Sequence, residues 1–296
     1  MPSIQSYIFD FWIRRLNLFN GGSYNPQQMR AQSERAGMLV KPQRGVRVLP
    51  VRAGTVPAEW LVPQAAPEGR ALLYLHGGAW FLGSPRMYRR FVSGLAKMSG
   101  VRALVVDYRL APEQPYPAAL DDCLAAYNWL LGEGYPASGI VVAGDSAGGN
   151  LTLALLVALR DQGLPLPAGA VAISPATDLA GTGESNTTRR KLDPFFHKMG
   201  TSQIAKDYIT NHDPCHPYIS PLYADLHGLP PLLIHVGDHE ILLDDALRFG
   251  ERALQAGVQV KTVVWPGMFH VFQMWGSLLP EAKRANREIA EFIKQC

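Results

Sequence analysis

Cysteine is scarce in this chain. Cys123, Cys215 and Cys296 stand far apart and are odd in number. They form no C-x-x-C pair and no disulfide framework, so a reducing, cytoplasmic setting is the simpler expectation. A large charge of one sign is missing too. The formal net charge is +3, and the longest basic run is Arg189-Arg190-Lys191. No basic stripe is interleaved with aromatics, which argues against nucleic acid as a partner. Long hydrophobic runs are also missing. In the N-terminal stretch Ile4, Ile8, Phe11, Trp12, Leu16 and Phe19 recur at helical spacing, but Asp10 interrupts them and Arg14 and Arg15 follow. The stretch is too short and too charged to span a bilayer, and it lacks the flanks of a cleaved signal. The expectation is an amphipathic helix packed on the protein body, without stable membrane insertion. Attachment to a membrane surface is the alternative. There is no internal repeat and no low-complexity segment.

Apolar residues, by contrast, make up 47% of the 296, against 18% charged. That is enough for one large α/β domain or two modest ones. Short apolar runs predict strands at 45–52, 58–62, 71–76, 102–107, 140–144, 170–174, 232–237 and 260–265. Helical patterns fall at 88–98, 118–131, 147–161, 241–255 and 281–294. The first two strands read as an antiparallel start. The later β-α-β rhythm predicts a parallel sheet covered on both faces. Residues 1–44 read as helical and irregular, with a break at Asn20-Gly21-Gly22-Ser23. Between Ser174 and Leu232 the rhythm fails, with one short helix expected near 201–210. So long a stretch usually has a function of its own. With residues 1–44 it is expected to form a cap.

The densest signal is Gly144-Asp145-Ser146-Ala147-Gly148, of the form G-x-S-x-G, with an apolar strand before it and a helix after it. That is the setting of a nucleophile elbow, which exposes the serine oxygen at a tight turn. The flanking glycines suit a turn with no room for side chains. A serine needs a base, an acid to orient the base, and donors for the developing oxyanion. His270 lies just beyond the last strand and is the expected base. Asp238, Glu240 and Asp244 are all near the same rim. Asp244 and Asp245 suit the first turn of a helix, where acids favour the dipole. Spacing alone leaves Asp238 and Glu240 both open. Gly77 and Gly78 in His76-Gly77-Gly78-Ala79, with Ala147 after the nucleophile, are the expected oxyanion donors. His76 is expected to anchor its loop, and His235 to be a core residue. His212 and His216 flank Cys215, but Pro214 and Pro217 break the helix their spacing would need, so no metal site is expected.

Several ordered blocks make the chain resemble the bacterial branch of the hormone-sensitive-lipase family of α/β-hydrolases. They are His76 to Ala79, Asp107-Tyr108-Arg109-Leu110-Ala111-Pro112-Glu113, Tyr116 to Asp122, Gly144 to Asn150, and Gly267-Met268-Phe269-His270. The resemblance implies an α/β-hydrolase fold with a mostly parallel eight-stranded sheet, helices on both faces and a helical cap. It implies a catalytic domain over 45–296, capped by helices in 1–44 and an insertion at about 178–220. It implies hydrolysis of carboxylic esters with no cofactor. Glu240-Ile241-Leu242-Leu243-Asp244 resembles the family's Asp-x-Leu-x-Asp block with Glu in first place, which favours Glu240 as the acid. Ala79 stands where relatives often have a third glycine. Arg109 is expected to pair with local acids and brace the oxyanion loop. Short-chain hydrophobic esters or lactones are the expected substrates. Trp80, Phe81, Phe195, Phe196, Met199, Met268, Phe269 and Phe272 are the candidates for an apolar pocket. A non-catalytic small-molecule receptor and an amidase or carbamate hydrolase are the rival functions. A homodimer through an edge strand or the C-terminal helix is a further expectation.

Overall fold

The structure, a computed structural model, describes residues 2–16, 25–198 and 200–296. The expected break at Asn20 to Ser23, and Phe19 and Met199, lie outside these. The strands are β1 (Val46–Ala53), β2 (Val56–Pro63), β3 (Ala71–Leu75), β4 (Arg102–Val106), β5 (Ile140–Asp145), β6 (Gly169–Ile173), β7 (Leu232–Gly237) and β8 (Val260–Trp265). They form one sheet in the order β1-β2-β4-β3-β5-β6-β7-β8. β1 and β2 are a hairpin, β2 is antiparallel to β4, and the remaining pairs are parallel. The sheet therefore matches the predicted strands, with ends shifted by a residue or a few.

The helices are α1 (Ile4–Leu16), α2 (Pro26–Gly37), α3 (Pro85–Ser99), α4 (Ala118–Gly132), α5 (Ala147–Asp161), α6 (Ser185–Thr188), α7 (Thr201–Ile209), α8 (Leu243–Gln255) and α9 (Pro280–Gln295). Alternate strand residues supply the two faces of the core. Leu72, Tyr74 and Val105 pack with Phe91 and Leu95 of α3 and with Ile289 and Ile293 of α9. Leu73, Leu75 and Leu104 pack with α4, α5 and α8. β3, β5, β6 and β7 are buried along their whole length, hence their unbroken apolar sequences. α2 is a separate helix that the sequence pattern did not resolve. It starts at Asn25, whose side chain accepts the Gln28 N–H at 3.0 Å, followed by Pro26 in the first turn. Among the described residues no helix is long and apolar enough to cross a membrane. The loops that follow β3, β5, β6, β7 and β8 leave the sheet along one rim, and the candidate site is built there.

Candidate active site

Ser146 is the hinge between β5 and α5, with φ 55° and ψ −119°. A non-glycine residue holds such a conformation only where its surroundings over-determine it, at a cost of about 1–3 kcal/mol. Here the Ser146 N–H donates to the Ile173 carbonyl at 2.8 Å, which locks the turn to β6. A Cβ at Gly144 would collide with the Gly148 and Leu75 carbonyls, and one at Gly148 with those of Leu75 and His76. The two glycines are therefore what lets the elbow close against β3.

The Ser146 hydroxyl lies 2.9 Å from His270 Nε2, and His270 Nδ1 lies 2.9 Å from Glu240 Oε2. The other carboxylate oxygen, Glu240 Oε1, accepts from the Ser174 hydroxyl at 2.8 Å and the Gly237 N–H at 2.5 Å. Glu240 is fully buried. Asp238, the competing acid, points elsewhere. Its Oδ1 accepts the Gly267 N–H at 2.6 Å and so ties the turn after β7 to the loop that carries His270. Burial by itself would pull the His270 imidazolium down. The hydrogen-bonded Glu240 carboxylate, with Asp193 and Asp145 behind it, outweighs burial and raises its pKa above the usual histidine value.

The oxyanion loop after β3 corrects one expectation. The Gly77 N–H is committed to the protein: it lies 3.0 Å from Asp145 Oδ1 and 3.0 Å from the Tyr88 hydroxyl. It is not available to a substrate. The next two N–H groups, of Gly78 and Ala79, donate to no acceptor among the described residues, and both residues line the cavity at Ser146. The reason for the shift is Asp145, which fills the unspecified second position of G-x-S-x-G, so the motif itself assigns it no role. Its buried carboxylate also accepts from the Tyr74 and Tyr88 hydroxyls at 2.9 Å each. Burial raises its pKa, and these donors oppose that rise. Asp145 thus clamps the oxyanion loop to the elbow. His76 anchors the same loop, stacked on Tyr108 with ring centroids 4.2 Å apart and with Nδ1 2.8 Å from the Gly77 carbonyl. Burial lowers its pKa to about 4, so it stays neutral. Arg109 does pair with Asp122, at 2.8 Å. The bracing of the loop, however, comes from its neighbours. Tyr108 donates to the His76 carbonyl at 2.6 Å, and the Ala111 N–H to the Trp80 carbonyl at 2.9 Å.

Two cavities meet at Ser146. The larger, about 350 Å³, is lined by His270, Tyr88, Phe195, Phe196, Met274 and Trp275 among others. The smaller, about 20 Å³, is lined by Ala79, Trp80, Ala176, Phe196, Ile204 and Leu242 among others. Of the expected apolar residues, Trp80, Phe195 and Phe196 reach these cavities. Met268, Phe269 and Phe272 instead form a buried cluster behind His270 with Ile13 of α1, and Phe81 is buried in the main core. Met274 and Trp275 were missed because they lie in a short 3-10 turn (Phe272–Leu278) with no periodic signal. Neither His212 nor His216 belongs to a metal cluster, and no such cluster occurs among the described residues. His235 is buried, and its Nδ1 accepts the Trp265 indole N–H at 3.3 Å.

Asp193 is a further buried carboxylate near the site. Its Oδ1 accepts the Phe195 and Phe196 N–H groups at 2.8 and 3.0 Å, and its Oδ2 the Ile241 N–H at 3.0 Å. It therefore joins the segment that lines the cavity to the residue after Glu240. Burial pushes its pKa up to about 6. In Asp193→Asn an amide N–H faces the Ile241 N–H and leaves it unpaired. The expected loss is about 2 kcal/mol of stability at neutral pH, read from urea unfolding. A variant as stable as wild type would show that this bridge carries no weight.

Comparison with known proteins agrees with the fold. A family model described as the alpha/beta hydrolase fold matches residues 72–274. An acetyl-hydrolase of Streptomyces hygroscopicus is 46% identical over 244 residues, covering 82% of this chain and 81% of that one. An esterase of Acinetobacter venetianus is 39% identical over 268 residues, covering 90% and 88%. The crystal structure of an esterase from the bacterial hormone-sensitive lipase family superposes with a TM-score of 0.92 at 41% identity, covering 100% of this chain and 99% of that one. The chain belongs to the α/β-hydrolase fold family, in its hormone-sensitive-lipase-like branch. Its activity is that of a carboxylesterase.

Proposed function

We propose that the protein hydrolyses short-acyl esters of apolar alcohols through a Ser146–His270–Glu240 triad. The observation that carries this reading is the unbroken hydrogen-bonded chain from the Ser146 hydroxyl through both nitrogens of His270 to a buried carboxylate. His270 Nε2 takes the hydroxyl proton as Ser146 Oγ bonds to the ester carbonyl carbon. Glu240 holds the imidazole by its Nδ1–H and stabilises the imidazolium. The N–H groups of Gly78, Ala79 and Ala147 face the carbonyl oxygen as it gains charge. His270 then returns the proton to the alkoxide, which leaves as alcohol. Water next gives a proton to His270 and its hydroxyl to the acyl carbon, and His270 passes that proton to Ser146 Oγ as the acyl bond breaks, which frees the acid and restores the serine.

Proton return to the leaving alcohol fixes which arm of the ester lies where. The alcohol has to depart beside His270, and only the larger of the two cavities is lined by that residue. The acyl group then occupies the smaller one, whose volume of about 20 Å³ has room for about one water-sized group. Acetyl fits this best, and the name of the Streptomyces relative points the same way. Lactones, whose two arms are tied together, use this division poorly, so open-chain esters are the better fit. We include in the proposal that α1, α2 and residues 178–220 act as a cap. In support, Arg30 of α2 donates to the Phe81 carbonyl at 2.7 Å, and Tyr208 of α7 stacks on Trp80 at 4.8 Å.

The test is a series of p-nitrophenyl esters. Turnover by the wild type is expected to be highest with acetate and to fall through butyrate to octanoate. Ile204→Ala opens the smaller cavity and raises kcat/KM for butyrate relative to acetate by about ten-fold. A wild type that prefers octanoate would reverse the assignment of the two cavities.

A further inference from the structure

Helix α1 is apolar on two sides, and among the described residues only one of them is covered. Ser6 and Ile13 face inward. Phe9 packs on Trp275 with ring centroids 4.3 Å apart, and Ile13 joins the cluster behind His270. The opposite face carries Ile4, Tyr7, Ile8, Phe11, Trp12 and Leu16 at helical spacing, all exposed, Ile4 at 77% and Trp12 at 59%. Contiguous exposed apolar surface on this scale marks an interaction site. A helix needs no such face to pack on its own protein, since Ile13 and Phe9 already do that.

The chemistry around this face selects its occupant. Arg15 lies over the Phe11 ring at 4.5 Å. Arg14 pairs with Asp10 and donates to the Leu192 carbonyl at 2.5 Å, which sets the basic run Arg189-Arg190-Lys191 beside the C-terminal end of α1. Lys191 and Leu192 are exposed. A stripe of aromatic and aliphatic side chains bordered by arginine and lysine is the pattern of a helix that lies in the plane of an anionic lipid surface. Continuity with the site supports this. Trp275, which lines the larger cavity, touches the inner side of α1, and Met274 and Leu278 of the same turn are exposed. A helix lying in an interface would hold the cavity within one side chain of it.

We propose that the outer face of α1, with the basic run 189–191, docks the protein reversibly on anionic lipid surfaces. Docking brings the ester site to molecules dissolved in the interface. It does not depend on the triad assignment, because binding is read without turnover.

The experiment is co-sedimentation of the whole protein with vesicles of phosphatidylcholine alone or mixed with phosphatidylglycerol. The expected result is binding to the mixed vesicles that weakens with added salt. Trp12→Ser should weaken that binding by about ten-fold or more. Leu39→Ser, at another exposed apolar position, should not, and hydrolysis of dissolved p-nitrophenyl acetate should be equal in all three proteins. Light scattering of the same samples tests the competing occupant. A wild-type dimer that Trp12→Ser converts to monomer would show that a second copy covers the face and would overturn the proposal. So would absence of binding to the mixed vesicles, equal binding by Trp12→Ser, or equal binding to both kinds of vesicle.

Discussion

Ser146→Ala is expected to lower kcat for p-nitrophenyl acetate by about five to six orders of magnitude. The substitution removes one oxygen and nothing else. The backbone conformation at φ 55° is as strained for alanine as for serine, and the turn is locked by the Ser146 N–H on the Ile173 carbonyl, which alanine keeps. The thermal midpoint should therefore stay within a few degrees of wild type. The Gly78, Ala79 and Ala147 N–H groups remain in place, so a small residual rate over water persists. Turnover that survives at more than a percent of wild type would show that the nucleophile lies elsewhere. A large drop in the midpoint would show that the hydroxyl stabilises the elbow.

Glu240→Gln has the second-largest expected effect, and its cause can be read from the donors around the carboxylate. Oε1 is held by the Gly237 N–H, which cannot turn to become an acceptor, and by the Ser174 hydroxyl. In the glutamine variant the amide oxygen therefore stays at that position, and the NH₂ group faces His270 Nδ1. The imidazole responds by moving its proton to Nε2, the wrong tautomer for accepting from Ser146. A fall in kcat of about 10³–10⁴ follows. Removal of the carboxylate also leaves burial as the main influence on His270, so its pKa falls. Wild-type kcat/KM rises with pH through the raised His270 pKa, and in the variant the residual activity should rise at lower pH. Asp238→Asn keeps an oxygen for the Gly267 N–H and should cost far less. If Asp238→Asn proved the more damaging change, the acid role would pass to Asp238. The pH profiles separate this from simple loosening of the loop, which would lower the rate without moving the acid limb.

The elements most legible in the sequence are those whose surroundings are uniform. β3, β5, β6 and β7 are buried on both faces, and each reads as an unbroken apolar run ending in a turn. Ser146 and His270 were legible because a strand end or a loop just beyond a strand fixes their position along the rim. α2 was not, since its residues, Gln27, Gln28, Arg30, Gln32, Ser33 and Glu34 among them, show little apolar periodicity. Its place depends on Arg30 reaching the Phe81 and Ala111 carbonyls, a contact distant in sequence. That the Gly77 N–H is already paired within the protein was hidden for a similar reason. Two adjacent glycines say that backbone approaches something closely, but not which N–H faces the ligand. That depends on the Asp145 carboxylate and the Tyr88 hydroxyl, brought in from β5 and α3. Which of Asp238 and Glu240 reaches His270 likewise depends on the direction of a turn, which spacing does not encode.

With Ser146 as the proposed nucleophile, its conformation sets stability against activity at a single position. Glycine adopts positive φ without the steric cost that serine bears, so Ser146→Gly would relax the elbow while deleting the chemistry. A screen for thermal robustness alone would reward that change, and the hardiest descendants of this protein would include some that hydrolyse nothing. Stabilisation of this scaffold is therefore best sought away from the rim, and any gain found at the elbow is a warning that function has been traded for it.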